Sequence, residues 1–251
     1  MNTESNRVEF RPRLKLVLIA LLVFCACARA QSQAQEELTA SQWLKKGNAY
    51  LAAKNFDDAI DAYGKAISLD PQYATAYNNR GFVYTHHKAK YDLAIADFNK
   101  AIQLAPQFME AYNNRGFALY STGRHDAAIA DFDKAIQLNP RYAQAHNNRG
   151  FAYYNKGRLD LALADYNKSI EFNPRSAIAY CNRATIYHDT GRYDLALQDF
   201  NKALELEPQN QAAIEGRKKA MEHLSRSQPS QEPAPNSTIS TNSNCANPAP
   251  L

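Results

Sequence analysis

The tetrapeptide Asn-Asn-Arg-Gly occurs three times in this chain, at Asn78–Gly81, Asn113–Gly116 and Asn147–Gly150, and a near-copy follows at Cys181–Ala184. The arginines Arg80, Arg115, Arg149 and Arg183 lie 35, 34 and 34 residues apart. A fixed period in this range means stacked supersecondary units, each too small to bury its own apolar face, so the repeat constrains the fold before any local motif does. It also makes binding the default function, because stacked arrays offer long surfaces and seldom gather a catalytic cluster.

Each period reads as two helices. Tyr77 to His87 and Asp92 to Leu104 both place apolar residues at i, i+3 and i+4. Gly123, Gly157 and Gly191 stand between the halves, where a chain must turn. Pro71, Pro106, Pro140, Pro174 and Pro208 end the second halves. Gly47, Gly81, Gly116 and Gly150 fall inside the first helix, at about 1 kcal/mol each relative to alanine. That cost implies a partner helix too close for a Cβ, and the facing small residues Ala59, Ala94, Ala128 and Ala162 are the expected contact. Ala184 takes the glycine position in the last copy, which implies a looser contact there.

Trp43, Gly47 and Tyr50, followed by Ala59, Tyr63, Ala66 and Pro71, are spaced as in the tetratricopeptide repeat (TPR), and the chain resembles that family over five copies. The copies run 40–73, 74–108, 109–142, 143–176 and 177–210, or 171 of 251 residues. The resemblance implies an all-α solenoid of helix-turn-helix repeats. It also implies that the first helices of successive repeats line a concave face.

The arginine of the tetrapeptide departs from the family pattern, which has leucine there. Wherever it occurs, an aspartate stands at position 23 of the same repeat: Arg80 with Asp97, Arg115 with Asp131, Arg149 with Asp165, Arg183 with Asp199. The first repeat has Lys46 with Ala62 instead. The pattern predicts an ion pair joining the two helices of each repeat.

Helical spacing puts Asn78, Asn79, Asn113, Asn114, Asn147, Asn148 and Asn182 on one face with Phe82, Phe117, Phe151, Tyr120 and Tyr154. An amide offers both donor and acceptor groups, so a ladder of them can hold the backbone of an extended peptide without reading its side chains. Each such bond adds only ~0.5–1.5 kcal/mol, so the aromatics would have to supply most of the affinity. The carboxylate clamp of TPR co-chaperones does not fit, because Glu110 and Asn114 occupy positions where Lys and Arg are needed.

The flanks predict destination. Arg11, Arg13 and Lys15 precede the apolar run Leu16–Cys27, and Ala28-Arg29-Ala30 has the small-x-small form of a cleavage site. Residues 1–30 therefore read as an export signal, directing the chain to a bacterial periplasm or out of the cell. Without them the chain carries 24 basic and 23 acidic residues, which provides no basic stripe for nucleic acid. Cys181 and Cys245 then remain, too few for a disulfide framework. Residues 31–39 form a polar lead-in in which Thr39 and Gln42 suit a capping box. Residues 211–226 read as a capping helix with Ile214, Met221 and Leu224 as its apolar stripe. Residues 227–251, rich in Pro, Ser and Asn, cannot bury a core and are expected to be disordered; they include a glycosylation sequon at Asn236.

No Gly-rich phosphate loop, metal-ligand spacing or paired carboxylate is present, and the histidines follow no zinc pattern. His146 and His188 read as packing or surface residues. The sequence points to a non-enzymatic scaffold without cofactor or metal that binds a protein or peptide partner. Self-assembly, or an accessory role in a cell-envelope complex, stands as the alternative.

Overall fold

The computed structural model describes residues 38–227, and they contain eleven helices and no strand. The export signal, the lead-in before Leu38, Cys245, the Asn236 sequon and the tail beyond Ser227 lie outside the described residues. The chain divides into two compact units, the first ending at Leu138 and the second beginning at Asn139.

The first unit holds three helical hairpins. They are α1 (Ala40–Ala52) with α2 (Phe56–Leu69), α3 (Ala74–His87) with α4 (Tyr91–Leu104), and α5 (Met109–Ser121) with α6 (His125–Leu138). The second unit holds α7 (Ala143–Asn155) with α8 (Leu159–Phe172), α9 (Ala177–Asp189) with α10 (Tyr193–Leu206), and the single helix α11 (Gln211–Ser227). Within each unit the two helices of a hairpin pack together, and the second helix of one hairpin packs on the first helix of the next, which gives an all-α, solenoid-like stacking.

Local sequence sets the boundaries. Thr39 caps α1 reciprocally: its hydroxyl accepts from the Gln42 amide at 3.3 Å, and its own N–H donates to Gln42 Oε1 at 2.7 Å. Each second helix stops two residues before its proline, as at Leu69, Leu104, Phe172 and Leu206. Gly123, Gly157 and Gly191 turn with φ of +78°, +70° and +74°. The first two hairpins make this left-handed turn without glycine, at Lys54 (φ 62°) and Ala89 (φ 49°). The second hairpin has one more residue at its turn. Its Lys88 reaches back to Asp57 at 2.7 Å, and its His87 stacks on Phe56 with ring centroids 3.9 Å apart.

The nearest neighbour of each internal first-helix glycine is an aromatic ring rather than the expected alanine. A Cβ on Gly47, Gly81, Gly116 or Gly150 would lie 2.5–2.9 Å from a ring carbon of Tyr63, Phe98, Phe132 or Tyr166. The aromatic at position 24 thus lies across the glycine. The expected alanines are fully buried, and the Ala162 carbonyl lies 3.2 Å from the Cβ that Gly150 would carry. The rings need this space because they have a large flat face and are themselves almost wholly buried. In the last hairpin, where Ala184 replaces the glycine, the Phe200 ring packs in one cluster with Ala184 and also lies against Gly216 of α11.

The buried stripe of α11 differs in part from the expected one. Ala213 and Ala220 are fully buried against Phe200 and Ala203. Of the expected residues Ile214 and Leu224 are half-buried, whereas Met221 is 55% exposed.

Candidate partner-binding face

The tetrapeptide assembles the site. Its arginine fixes the hairpin from one side. Arg80 donates to Asp97 through Nε and Nη2, both at 2.8 Å. Arg115 grips Asp131 at 2.7 and 2.6 Å, Arg149 grips Asp165 at 2.8 and 2.7 Å, and Arg183 grips Asp199 at 2.7 and 2.8 Å. All four aspartates are buried, and every pair is a two-point fork. The hydrogen bond to aspartate, outweighing the opposing effect of burial, holds the guanidiniums of Arg80, Arg115 and Arg183 above their ordinary value. Tyrosine rings flank the forks, Tyr112 beside Arg115 and Tyr180 beside Arg183 among them.

The arginine has a second bond that sequence reading missed. Arg115 Nη1 donates to Asn99 of the preceding hairpin at 2.7 Å, and Arg183 does the same to Asn167. One side chain therefore ties its own two helices together and ties its hairpin to the previous one. The signal was present as the polar residue at position 25, two places after the aspartate.

His146 also belongs to this layer. It is buried where other repeats have Trp or Tyr, with Nδ1 3.2 Å from Asp165 Oδ1 and Nε2 3.0 Å from the Pro140 carbonyl. Burial pushes the Asp165 carboxyl up. The bonds from Arg149 and His146, with their charges, outweigh it and hold that carboxyl below the usual carboxylate value.

The asparagines are arranged differently from the expected ladder. Asn78, Asn113, Asn114 and Asn147 are buried, and the amides bond to one another. In the first unit Asn113 donates to Asn114 (3.4 Å), Asn114 to Asn78 (3.1 Å), Asn78 to Asn79 (3.2 Å) and Asn79 to Asn48 (3.0 Å). The chain ends on Asn48 Oδ1, which also accepts from the Tyr63 hydroxyl at 2.8 Å. In the second unit Asn182 donates to Asn147 (3.1 Å), and Asn147 to Asn148 (3.5 Å). The amides thus join first helix to first helix and fix the spacing of the hairpins. Asn79, Asn148 and Asn182 keep half-exposed edges.

The rings stand on the same first helices and are less buried than most of those amides. In the first unit His86 packs between Phe82 (centroids 4.4 Å apart) and Phe117 (4.9 Å), and Tyr120 meets His125 at 4.8 Å. Phe82, Phe117 and Tyr120 are half-buried. Desolvation beside the rings, and then the neighbouring His87, hold the His86 imidazole below its usual value. In the second unit Phe151 is 37% exposed, and the half-buried Tyr154 donates to Asp189 at 2.5 Å. That bond, with burial adding to it, pushes the Tyr154 phenol up to about 12. Such a surface offers flat apolar area with polar edges. It brings together no nucleophile and base, and no group of three or more potential metal ligands occurs among the described residues.

Comparison with known proteins matches this geometry. Residues 47–87, 86–123 and 118–157 match the TPR repeat family, and residues 143–176 and 177–210 match the tetratricopeptide repeat. The chain belongs to the tetratricopeptide repeat family. Among solved structures this TPR chain is similar to MamA, at 32% identity over 64% of this chain and 94% of that one, with a TM-score of 0.55. It is similar to YrrB, described as a TPR protein with an unusual peptide-binding site, at 26% identity over 76% of this chain and 97% of that one, with a TM-score of 0.54. The fold is shared as well with TTC0263, a thermophilic TPR protein in Thermus thermophilus, at 23% identity, 74% and 99% coverage and a TM-score of 0.62.

Proposed function

We propose that this TPR protein is an exported, non-catalytic scaffold whose first-helix face binds an extended segment of a partner protein. The observation that carries the reading is the set of half-buried aromatic rings on first helices whose amides are already bonded to one another. A TPR protein with a peptide-binding site among its relatives supports it. In the first unit Phe82 and Phe117 supply contact area, and the half-exposed amide of Asn79 supplies a polar edge for a peptide backbone. Export rests on the sequence of residues 1–30, which points to a periplasm or the outside of the cell.

The test is selection of a random peptide library on the purified chain. Enriched peptides are expected to bind at micromolar Kd, near −8 kcal/mol. The paired variant Phe82→Ala/Phe117→Ala should weaken them at least tenfold. Failure to enrich any peptide, or unchanged affinity in that folded variant, would sink the reading.

A further inference from the structure

In register with the repeats, α11 is a first helix without its second. Ala213 and Ala220 take the places of the buried Ala179 and Ile186 in α9, and Arg217 stands 34 residues after Arg183. Arg217 Nη1 reaches back to Asn201, as Arg183 reaches back to Asn167, but at 3.5 Å rather than 2.7 Å. What differs is the carboxylate. Arg183 is oriented by a two-point fork to Asp199 of its own second helix, and Arg217 has no such aspartate among the described residues. The sequence puts Pro229, Pro233 and Pro235 where a second helix would run, so the chain is poorly suited to supply one. The face that a second helix covers in the complete repeats is presented here by Ile214, Arg217, Lys218 and Met221, and Met221 is 55% exposed.

We propose that this end of the second unit is a docking site, distinct from the aromatic face, for an acidic amphipathic helix of a partner protein that completes a sixth repeat in trans. Its chemistry follows from the face. A carboxylate meets Arg217, as Asp199 meets Arg183. Lys218 occupies the place where Gly47, Gly81, Gly116 and Gly150 admit an aromatic ring, so the docking helix carries a small or acidic residue at that point. Apolar residues on either side cover Ile214 and Met221, in the manner of a helix laid on a groove.

The probe is a synthetic peptide copying α10, Tyr193–Leu206, with Phe200→Ala to clear Lys218. Titrated into the full chain, it is expected to bind at Kd in the tens of micromolar. Arg217→Asp should weaken it at least tenfold with helicity unchanged, and the same peptide carrying Asp199→Arg should bind the Arg217→Asp chain with restored affinity. The aromatic-face variant Phe82→Ala/Phe117→Ala should bind the probe like the wild type, so failure here and failure of the groove reading are separable. No binding to the wild type, equal binding to Arg217→Asp, or no rescue by the swapped peptide would overturn the proposal.

Discussion

The first hairpin and the two that follow it in the same unit solve one packing problem in two ways. All three lay an aromatic ring across a glycine: Tyr63 over Gly47, Phe98 over Gly81, Phe132 over Gly116. The second and third add a buried Arg–Asp fork. The first has Ala62, 1% exposed, where they bury an aspartate, and Lys46 on the surface, 4.9 Å from the Trp43 ring. A hairpin therefore forms without the fork. What the fork adds is visible in Arg115, which holds its own aspartate and the preceding hairpin's Asn99 at once. Among the described residues no helix precedes α1 for an arginine of the first hairpin to reach back to. In the second unit Arg217 is the converse, with a residue to reach back to and no aspartate of its own.

The largest expected effect comes from breaking the fork where it exists. Asp131→Ala leaves Arg115 without its carboxylate, and the loss should be about 2–4 kcal/mol, tempered by the partial exposure of that arginine. Urea denaturation at neutral pH measures it. Transplanting the fork sharpens the comparison. Ala62→Asp alone should cost ~2 kcal/mol, because the carboxylate is buried beside a mismatched Lys46. Lys46→Arg added to it should recover at least half of that, because a guanidinium can make the two-point contact. If the double variant is as unstable as the single, the fork depends on more than these two positions.

A smaller loss follows from cutting the amide chain. Asn78→Ala removes the acceptor of Asn114 and should cost ~1–2 kcal/mol by thermal melting. Acid tests the Asp165 fork in a further way. The native Asp165 carboxyl lies below its unfolded value, so the unfolded chain binds the extra proton as pH falls. Its stabilisation is complete above the ordinary carboxylate range near pH 4 and is lost as pH falls through the depressed native value. Urea midpoints between pH 7 and pH 2.5 should fall more steeply for the wild type than for Asp165→Asn.

The period, the helix boundaries and the Arg with Asp co-occurrence were legible because each is written in residue type at a fixed spacing. The destination of the amides was not. Asn78 and Asn114 look alike in sequence whether they face solvent or each other, and only the distance between stacked first helices decides. The α11 stripe was misread in part for a related reason. Alanine does not announce itself as an anchor, yet Ala213 and Ala220 are fully buried in one cluster with Phe200. His146 was read as packing or surface because a lone histidine carries no pattern. Its position, filled by Trp or Tyr in the other four repeats, was the available clue.

The central claim is a division of labour: buried amides set the spacing of the hairpins, and the rings above them make the contact with a partner. It is tested by measuring thermal stability and peptide affinity together for Asn114→Ala and Phe117→Ala, with a peptide selected on the wild type. The account predicts that Asn114→Ala loses ~1–2 kcal/mol of stability while affinity stays within about threefold, and that Phe117→Ala weakens the peptide about tenfold, or ~1.4 kcal/mol. An Asn114→Ala chain of unchanged stability that no longer binds the peptide would contradict it.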